Sequence, residues 1–249
     1  MSDAPIGVVA SGSGGLAVAR MITARLPHED VVAFCDHAYA PWGRRPGRAV
    51  SMRVASLGGD LAAHGPKIVV LASAQGTLDA LDALRAAYAV PVVGMDGLVP
   101  FAAAAAGGRP VALVTGDGCV RGVQQGRSVR RQRGGVDAGS DTWPGLAELV
   151  EAGGAASPAA DELAATRVPP LIAGGIGAIL LACPHASAVS ASVEHAAGGR
   201  AAVVDGAAVT VERAIRLLRR SNALAHRKRA GRLVVVSSNP ARGAAGLTA

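Results

Sequence analysis

Short apolar runs alternate with longer helix-like segments along most of the chain, and this alternation constrains the fold more than any other feature. The runs are rich in Val, Ile, Leu and Ala, and turn residues bound them. Apolar strands that alternate with helices predict βαβ units, in which parallel strands form a sheet covered by helices. We predict strands at Ile6–Ala10, Val31–Cys35, Lys67–Ala72, Val90–Met95, Pro110–Thr115, Ala178–Ala182, Ala201–Val204 and Leu233–Val236.

Helices are predicted between these strands. The helix from Asp161 to Ala173 is expected to break at Pro169 and Pro170, because proline removes a helical hydrogen bond. We expect the basic segment Arg127–Gly135 to be an exposed helix or loop, and the tail from Asn239 to be frayed. The other predicted helices are Leu16–Arg25, Pro46–His64, Leu78–Tyr88, Val99–Ala106, a short one within Trp143–Gly153, Ser187–Ala197 and Ala207–Ala225.

The segment around Cys183 is the strongest candidate for a reactive site. Its apolar run ends at Cys183, and His185 follows two residues later. Ligands of open α/β sheets bind at the carboxyl ends of the strands, which is where this thiol is placed. A buried cysteine also packs as a small apolar side chain, so position alone leaves an inert thiol as an equal alternative.

Two loops of the N-terminal half are further candidates. The loop Ser11–Gly15 joins a strand to a helix, an arrangement whose backbone amides bind anions, although a tight turn explains the glycines equally well. The loop Asp36–Gly43 combines an acid and an imidazole with two of the six aromatic residues of the chain, which suggests the wall of a site.

Composition limits the partners. The net charge of +7 gives only a weak preference for acidic ligands, and aromatics, at 2% of residues, are too few to stack on bases. We therefore expect no specific nucleic-acid partner. Cys35, Cys119 and Cys183 show no metal-ligand spacing and no CxxC pair, so we expect no metal site and a reducing, cytoplasmic location. No signal peptide and no membrane-spanning apolar run are evident.

Motifs in both halves, taken in order, resemble those of glutamate racemases, in the Asp/Glu racemase superfamily. The strand-to-loop units Val69–Gln75 and Ile179–His185 are similar to each other and lie about a hundred residues apart. The other matching segments are Ile6–Val8, Ser11–Gly12, Gly14–Leu16, Leu26–Asp30, Asp36, Pro41, Gly43, Val90–Gly94, Leu149–Gly153 and Asp205.

The resemblance implies an α/β fold of two similar lobes, each a mainly parallel sheet flanked by helices, with a cleft between them. Residues 1–97, completed by about 208–249, are expected to form one lobe, and residues 98–207 the other. The family uses no cofactor and racemises glutamate, which supplies D-glutamate to peptidoglycan. One cysteine removes the α-proton and a second supplies a proton to the other face. A homodimer is an additional expectation.

The resemblance also implies the site residues. Cys183 falls on the second catalytic cysteine, and His185 and Glu151 assist the proton transfer. Ser73 falls on the first catalytic cysteine, so half of the two-base machinery is altered. Ala10 and Ala74 replace an Asp and an Asn, and Trp42 replaces a Tyr. The expected substrate-binding residues are Ser11, Gly12, Pro41, Trp42, Gly43, Ala74, Gln75 and Pro184.

Three functions are compatible with these departures from the family pattern. The first is glutamate racemisation that is impaired because Ser73 replaces a thiol. The second is a non-catalytic family member that binds a small acid or a protein partner. The third is a single-cysteine enzyme, similar to arylmalonate decarboxylase, that uses Cys183 as its proton donor.

Overall fold

The computed structural model describes residues 3–116, 138–239 and 241, and these form an α/β protein with two compact units. The first unit extends from the N-terminus to Asp96 and resumes at Thr210, and the second comprises Gly97–Val209. The basic segment Arg127–Gly135 and Cys119 lie outside the described residues, as does most of the tail beyond Asn239.

The first unit contains a five-stranded sheet in which every pair of neighbours is parallel. The strand order is β4-β3-β1-β2-β9. Its strands are β1 (Ile6–Ala10), β2 (Val31–Cys35), β3 (Ile68–Ala72), β4 (Val92–Val93) and β9 (Leu233–Ser237), and its helices are α1 (Ser13–Arg25), α2 (Gly47–Ala62) and α3 (Ala74–Ala87).

The second unit contains a four-stranded parallel sheet in the order β6-β5-β7-β8. Its strands are β5 (Val111–Gly116), β6 (Ala138–Trp143), β7 (Ala178–Leu181) and β8 (Ala202–Asp205), and its helices are α4 (Val99–Ala105), α5 (Leu146–Glu151), α6 (Pro158–Ala173), α7 (Pro184–Ala188) and α8 (Ser190–Ala197). Helix α9 (Gly206–Arg220) leads from this unit back to the first.

The apolar runs form strands because parallel sheets of this type are covered on both faces. All residues of β1, β2 and β3 are buried. The core of the first unit packs aliphatic side chains of α2 and α3, such as Leu57, Leu61 and Leu84, against this sheet. With so few aromatics, Trp42 and Trp143 are the largest fully buried side chains. The predicted α/β fold with parallel sheets is therefore confirmed.

Several predicted boundaries were wrong. Helices α1 and α3 begin at Ser13 and Ala74, earlier than predicted, because the loop residues themselves form the first turns. Strand β6 was missed because its sequence, AGSDTW, is mostly polar, as suits an edge strand. Helix α5 consequently begins only at Leu146, after Trp143 has ended the strand.

The other corrections concern helix continuity. Helix α6 passes through Pro169 and Pro170 without breaking. The two prolines remove the amide donors for the carbonyls of Ala165 and Thr166, and both of these residues are exposed, so water can replace the donors. The predicted Ser187–Ala197 helix is instead two helices, α7 and α8, separated by Val189. Helix α9 ends at Arg220, and Asn222 follows in the left-handed conformation typical of helix ends.

Ion pairs and hydrogen bonds hold the segment before β9 next to the residues that precede β2 and β3. The buried carboxylate of Glu29 pairs with Lys67 at 2.6 Å and accepts a hydrogen bond from the Ala225 amide at 2.7 Å. Arg227 and Arg229 both bind Asp30, at 2.9 and 2.8 Å. The hydrogen bond from Arg229 is the largest contribution that lowers the pKa of Asp30 to about 2. These contacts bring β9 into register beside β2.

We predict that Glu29→Gln lowers the free energy of unfolding by about 3 kcal/mol, because it removes the carboxylate that pairs with the buried ammonium of Lys67. Asp82→Asn is the control, since the Asp82 side chain is fully exposed and its replacement should leave the unfolding free energy close to that of the parent. Urea unfolding measures both. A Glu29→Gln protein as stable as the control would show that the pair does not fasten this segment.

Candidate functional site

In each unit, a buried strand is followed by a residue whose side chain caps the next helix. In the first unit, Ser73 follows β3, and its Oγ accepts a hydrogen bond from the Gly76 amide at 3.0 Å. In the second, Cys183 follows β7, and its Sγ accepts one from the Ala186 amide at 3.4 Å. Both residues are extended and buried. Ser73 and Cys183 therefore occupy equivalent local positions, as their similar sequence contexts predicted.

The residues two positions after Ser73 and Cys183 make the surroundings of these two side chains chemically different. His185 places its Nε2 2.8 Å from Oε1 of Glu151, and both side chains are about nine-tenths buried. Gln75, the equivalent residue in the first unit, donates from Nε2 to Oδ2 of Asp79 at 2.5 Å. The Oε1 of Gln75 is buried and accepts no hydrogen bond. The first unit thus has a neutral amide where the second has an ionisable ring.

His185 is held in its charged form. Burial alone would lower its pKa, but hydrogen bonds with Cys183 and Glu151 outweigh this effect and raise the pKa from 6.5 to about 9. At neutral pH the ring is therefore an imidazolium. A cation next to a thiol favours the thiolate, which is the form that accepts a proton. Cys183, His185 and Glu151 together form a thiol site equipped for proton transfer.

In the first unit, the predicted residues gather at the carboxyl ends of adjacent strands. Ser11 and Gly12 follow β1, whose last residue, Ala10, pairs with Ala72 at the end of β3. Gly15 must be glycine, because a Cβ there would lie 1.9 Å from the Cβ of Ala10. Ser11 is buried, and Gly12 precedes α1 with an extended backbone, its carbonyl accepting from the Gly15 amide. The loop after β1 therefore packs closely against Ala10.

The loop after β2 is organised by a buried carboxylate. Asp36 accepts two hydrogen bonds from Arg53, at 2.6 and 2.9 Å, and one from the indole N–H of Trp42 at 3.0 Å. Burial would raise the pKa of Asp36, but these donors and Ser238 outweigh burial and lower it. The guanidinium of Arg53 also stacks over the ring of Tyr39, with its Cζ 4.3 Å from the ring centroid.

The side chain of Trp42 therefore lies in the core. It is 1% exposed, its single donor is bound to Asp36, and a Cβ on Gly76 would lie 3.0 Å from its ring. Pro41 and Gly43 are partly buried beside it, in the loop and in the short 3-10 helix Trp42–Arg44. Ala74 opens α3 next to Ser73, and Pro184 is buried next to Cys183. Substrate binding by all of these residues remains a prediction.

Two residues that shape the site were missed at the sequence level. Arg53 lies on α2, seventeen residues after the Asp36 that it binds, and no short-range pattern connects them. Asp79 is four residues after Gln75, a spacing at which helical side chains meet. That spacing would have revealed the pair if α3 had been predicted to begin at Ala74 instead of Leu78.

No group of three or more His, Cys, Asp or Glu side chains could hold a metal ion within residues 3–116, 138–239 and 241. In the same part of the chain, no helix has both the length and the apolar character that a membrane crossing requires.

Comparisons with known proteins agree with this geometry. A family model described as Asp/Glu/Hydantoin racemase matches residues 6–214. The chain is 34% identical over 222 residues to the glutamate racemase of Herpetosiphon aurantiacus, covering 88% of this chain and 86% of that protein. The chain belongs to the glutamate racemase family.

Solved structures of the family have the same fold. The glutamate racemase of Thermus thermophilus, in complex with β-chloro-D-alanine, is 29% identical and superposes with a TM-score of 0.80, covering 98% of this chain and 92% of that one. The enzyme of Francisella tularensis, in complex with D-glutamate, has a TM-score of 0.82 at 19% identity, covering 99% and 93%. The resemblance to glutamate racemases inferred from the sequence is confirmed.

We predict that Glu151→Gln destabilises the protein by about 2 kcal/mol at pH 6 and by much less at pH 9.5. Because the pKa of His185 is raised when folded, its contribution to stability is full below about 6.5 and is lost as the pH rises through about 9. Removing the carboxylate removes part of that contribution. Urea unfolding at both pH values measures the difference.

The matched control is Glu162→Gln, which changes an exposed carboxylate on α6. It should shift the unfolding free energy little, and equally at both pH values. An effect of Glu151→Gln that is the same at pH 6 and pH 9.5 would contradict a charged His185 held by Glu151.

Proposed function

We propose that this chain transfers the α-proton of glutamate through Cys183 and that racemisation is slow because Ser73 stands at the position of the first catalytic cysteine of the family. The observation that carries the proposal is the hydrogen-bonded chain Cys183, His185 and Glu151 in the second unit. The family supports glutamate as the substrate, since the related enzyme of Francisella tularensis binds D-glutamate.

The second unit supplies the reactive base. The thiolate of Cys183, stabilised by the imidazolium of His185, accepts the α-proton, and the electron pair moves into the adjacent carboxylate of the substrate. The same thiol then returns a proton to the same face. Glu151 keeps His185 charged and oriented throughout. General acid–base assistance of this kind typically contributes about 10²–10⁴-fold to the rate.

At the position of Ser73, the first unit offers a weaker proton donor than the second unit offers at Cys183. Racemisation requires a proton to arrive at the face opposite to the one that lost it. A serine hydroxyl is a much weaker acid than a thiol, and Gln75 places a neutral amide where His185 stands in the second unit. Ser73 already serves as the cap of α3 through the Gly76 amide. We therefore propose that protonation from this side limits the turnover.

A second candidate is decarboxylation of a substituted malonate, as in arylmalonate decarboxylase. The observation that favours it is that Cys183 has an ionisable partner whereas Ser73 has none of this kind at the equivalent position. Loss of carbon dioxide generates the carbanion without a base, so one proton donor completes the reaction. Carbon dioxide release from phenylmalonate and methylphenylmalonate would distinguish this reaction from proton exchange on glutamate.

The cellular setting is part of the proposal. We propose that the protein acts in the cytoplasm as a homodimer and contributes D-glutamate to peptidoglycan synthesis. Two observations support the location: neither of the two described cysteines, Cys35 and Cys183, is in a disulfide, and the family produces a precursor of the cell wall.

We predict that Cys183→Ala lowers the incorporation of solvent deuterium at the α-carbon of glutamate by at least about 10²-fold, because it removes the proton acceptor. Proton NMR of L- and D-glutamate in heavy water measures the incorporation. Cys35→Ala is the matched control, because Cys35 is also a buried cysteine at the carboxyl end of a strand, β2, in the other unit.

The control should exchange deuterium at the parent rate after correction for the folded fraction. If Cys183→Ala and the parent exchange at the same measurable rate, the assignment of Cys183 is wrong. If the parent releases carbon dioxide from a malonate but incorporates no deuterium into glutamate, decarboxylation replaces racemisation as the proposed function.

We predict that Ser73→Cys alone raises racemisation by less than the triple change Ala10→Asp, Ser73→Cys and Ala74→Asn. The single change leaves Ala10 and Ala74 in place of the Asp and Asn of the family, and assistance from such polar neighbours is worth about 10²-fold or more. Circular dichroism of glutamate solutions measures the rate of inversion. A single Ser73→Cys variant as fast as the triple variant would show that the surrounding residues do not limit the reaction.

A further inference from the structure

Arg53, on α2, binds a buried carboxylate of the loop after β2. Its Nη2 and Nε donate to the two oxygens of Asp36, at 2.6 and 2.9 Å. Asp36 is fully buried, and its Oδ2 also accepts from the indole N–H of Trp42 at 3.0 Å. A planar guanidinium that binds both oxygens fixes the orientation of a carboxylate, whereas a single donor leaves it free to rotate. Arg53 therefore determines where Asp36 presents the oxygen that Trp42 binds.

Tyr39 covers one face of this guanidinium, with the Cζ of Arg53 4.3 Å from the ring centroid. A flat, delocalised cation stacks on an aromatic ring while its edge still donates hydrogen bonds, and a lysine ammonium does not combine both contacts. Arg53 is in this way held between Tyr39 and Asp36. Loss of the guanidinium would leave the buried carboxylate of Asp36 without the cation that pairs with it, and such a carboxylate takes up a proton or moves.

Trp42 connects Asp36 to the first turn of α3. A Cβ on Gly76 would lie 3.0 Å from Cζ3 of the indole and 3.2 Å from the Cβ of Ser73. Because Gly76 has no side chain, the indole packs directly against the backbone of this turn. The amide of Gly76 is also the group that donates to the Oγ of Ser73, at 3.0 Å. The position of the indole therefore bears on the residue that stands at the place of the first catalytic cysteine.

A second contact from α2 acts on the same part of α3. The hydroxyl of Ser51, two residues before Arg53, donates to the Asp79 carbonyl at 2.7 Å. The carboxylate of Asp79 in turn accepts from Nε2 of Gln75 at 2.5 Å. Helix α2 therefore holds the beginning of α3 by two routes, of which the Arg53 route includes the loop after β2.

We propose that Arg53 is a positioning residue: by way of Asp36 and Trp42, it fixes the first turn of α3 for the reaction. This role rests on the function proposed above, in which Ser73 on that turn serves the face of glutamate opposite to Cys183. A misplacement of about 1 Å at a reacting group can lower a rate about 10²-fold, even when the mutation is remote from the chemistry. Loss of Arg53 should therefore slow inversion more than it slows deuterium gain through Cys183.

The ratio of inversion to α-deuterium gain, measured on glutamate in heavy water, separates the contributions of the two units. We expect Arg53→Met to lower this ratio at least about 10-fold, because inversion needs the first unit whereas deuterium gain needs only Cys183. Arg53→Lys keeps a charged donor for Asp36 and should recover part of the ratio. Arg25→Met is the matched control, since Arg25 also pairs with a carboxylate of the same unit, that of Glu212, but at the end of α1. It should keep the parent ratio.

A thiol at position 73 reports the same positioning without any turnover. In Ser73→Cys, the new thiol should accept the Gly76 amide and have a lowered pKa, as thiols at helix N-termini do. The pH dependence of its alkylation by iodoacetamide, followed by mass spectrometry at that residue, measures the pKa. Adding Arg53→Met should raise this pKa and lower the thiolate fraction at neutral pH at least about threefold. Adding Arg25→Met should leave it unchanged.

Trp42→Phe tests whether the effect passes through the indole. It keeps an aromatic ring but removes the N–H that binds Asp36. Residues that act through one contact have non-additive effects. Arg53→Met combined with Trp42→Phe should therefore lower the ratio no further than the more severe single change, and effects that multiply would contradict the route through Trp42.

Two results would overturn the role of Arg53. One is a thiol pKa at position 73 that is the same with and without Arg53→Met. The other is a fall of inversion and deuterium gain by the same factor in both Arg53→Met and Arg53→Lys. A parent protein that gains no deuterium contradicts the proposed function instead, and the thiol pKa then decides the role of Arg53 alone.

Discussion

The buried imidazole of His185 hydrogen-bonds both the thiol of Cys183 and the carboxylate of Glu151, and the chemistry proposed for the protein depends on this arrangement. A buried ring would ordinarily lose its proton, because burial penalises the charged form. Two acidic partners reverse that preference and raise the pKa to about 9. The fold supplies both partners, since Cys183 caps the helix that follows β7 and Glu151 is the last residue of α5.

The parallel sheets explain why the candidate residues cluster. The carboxyl ends of neighbouring parallel strands lie at one edge of a sheet, so loops distant in sequence are brought together there. In the first unit this edge gathers the residues after β1, β2 and β3. The two units repeat one arrangement, a strand followed by a residue that caps the next helix, but the first unit has Ser73 and Gln75 where the second has Cys183 and His185.

Much of the fold and part of the candidate site could be predicted from the sequence, for identifiable physical reasons. Fully buried strands such as β1 and β7 are continuous apolar runs, which are visible in a sequence, whereas the edge strand β6 is polar and was missed. The position of Cys183 at a strand end, with His185 nearby, was likewise evident. The core position of Trp42 was not, because its bond to Asp36 and the contact of Asp36 with Arg53 depend on tertiary packing between separate elements.

The central claim is that one thiol serves one face of the substrate, and the stereochemistry of exchange tests it most directly. L- and D-glutamate are incubated separately with the protein in heavy water, and α-deuterium content and enantiomeric purity are measured on the same samples. The account predicts that one enantiomer gains deuterium at least about tenfold faster than it inverts, while the other gains little. Deuterium gain and inversion at equal rates, from both enantiomers, would contradict it, because the first unit would then be supplying a proton as effectively as the second.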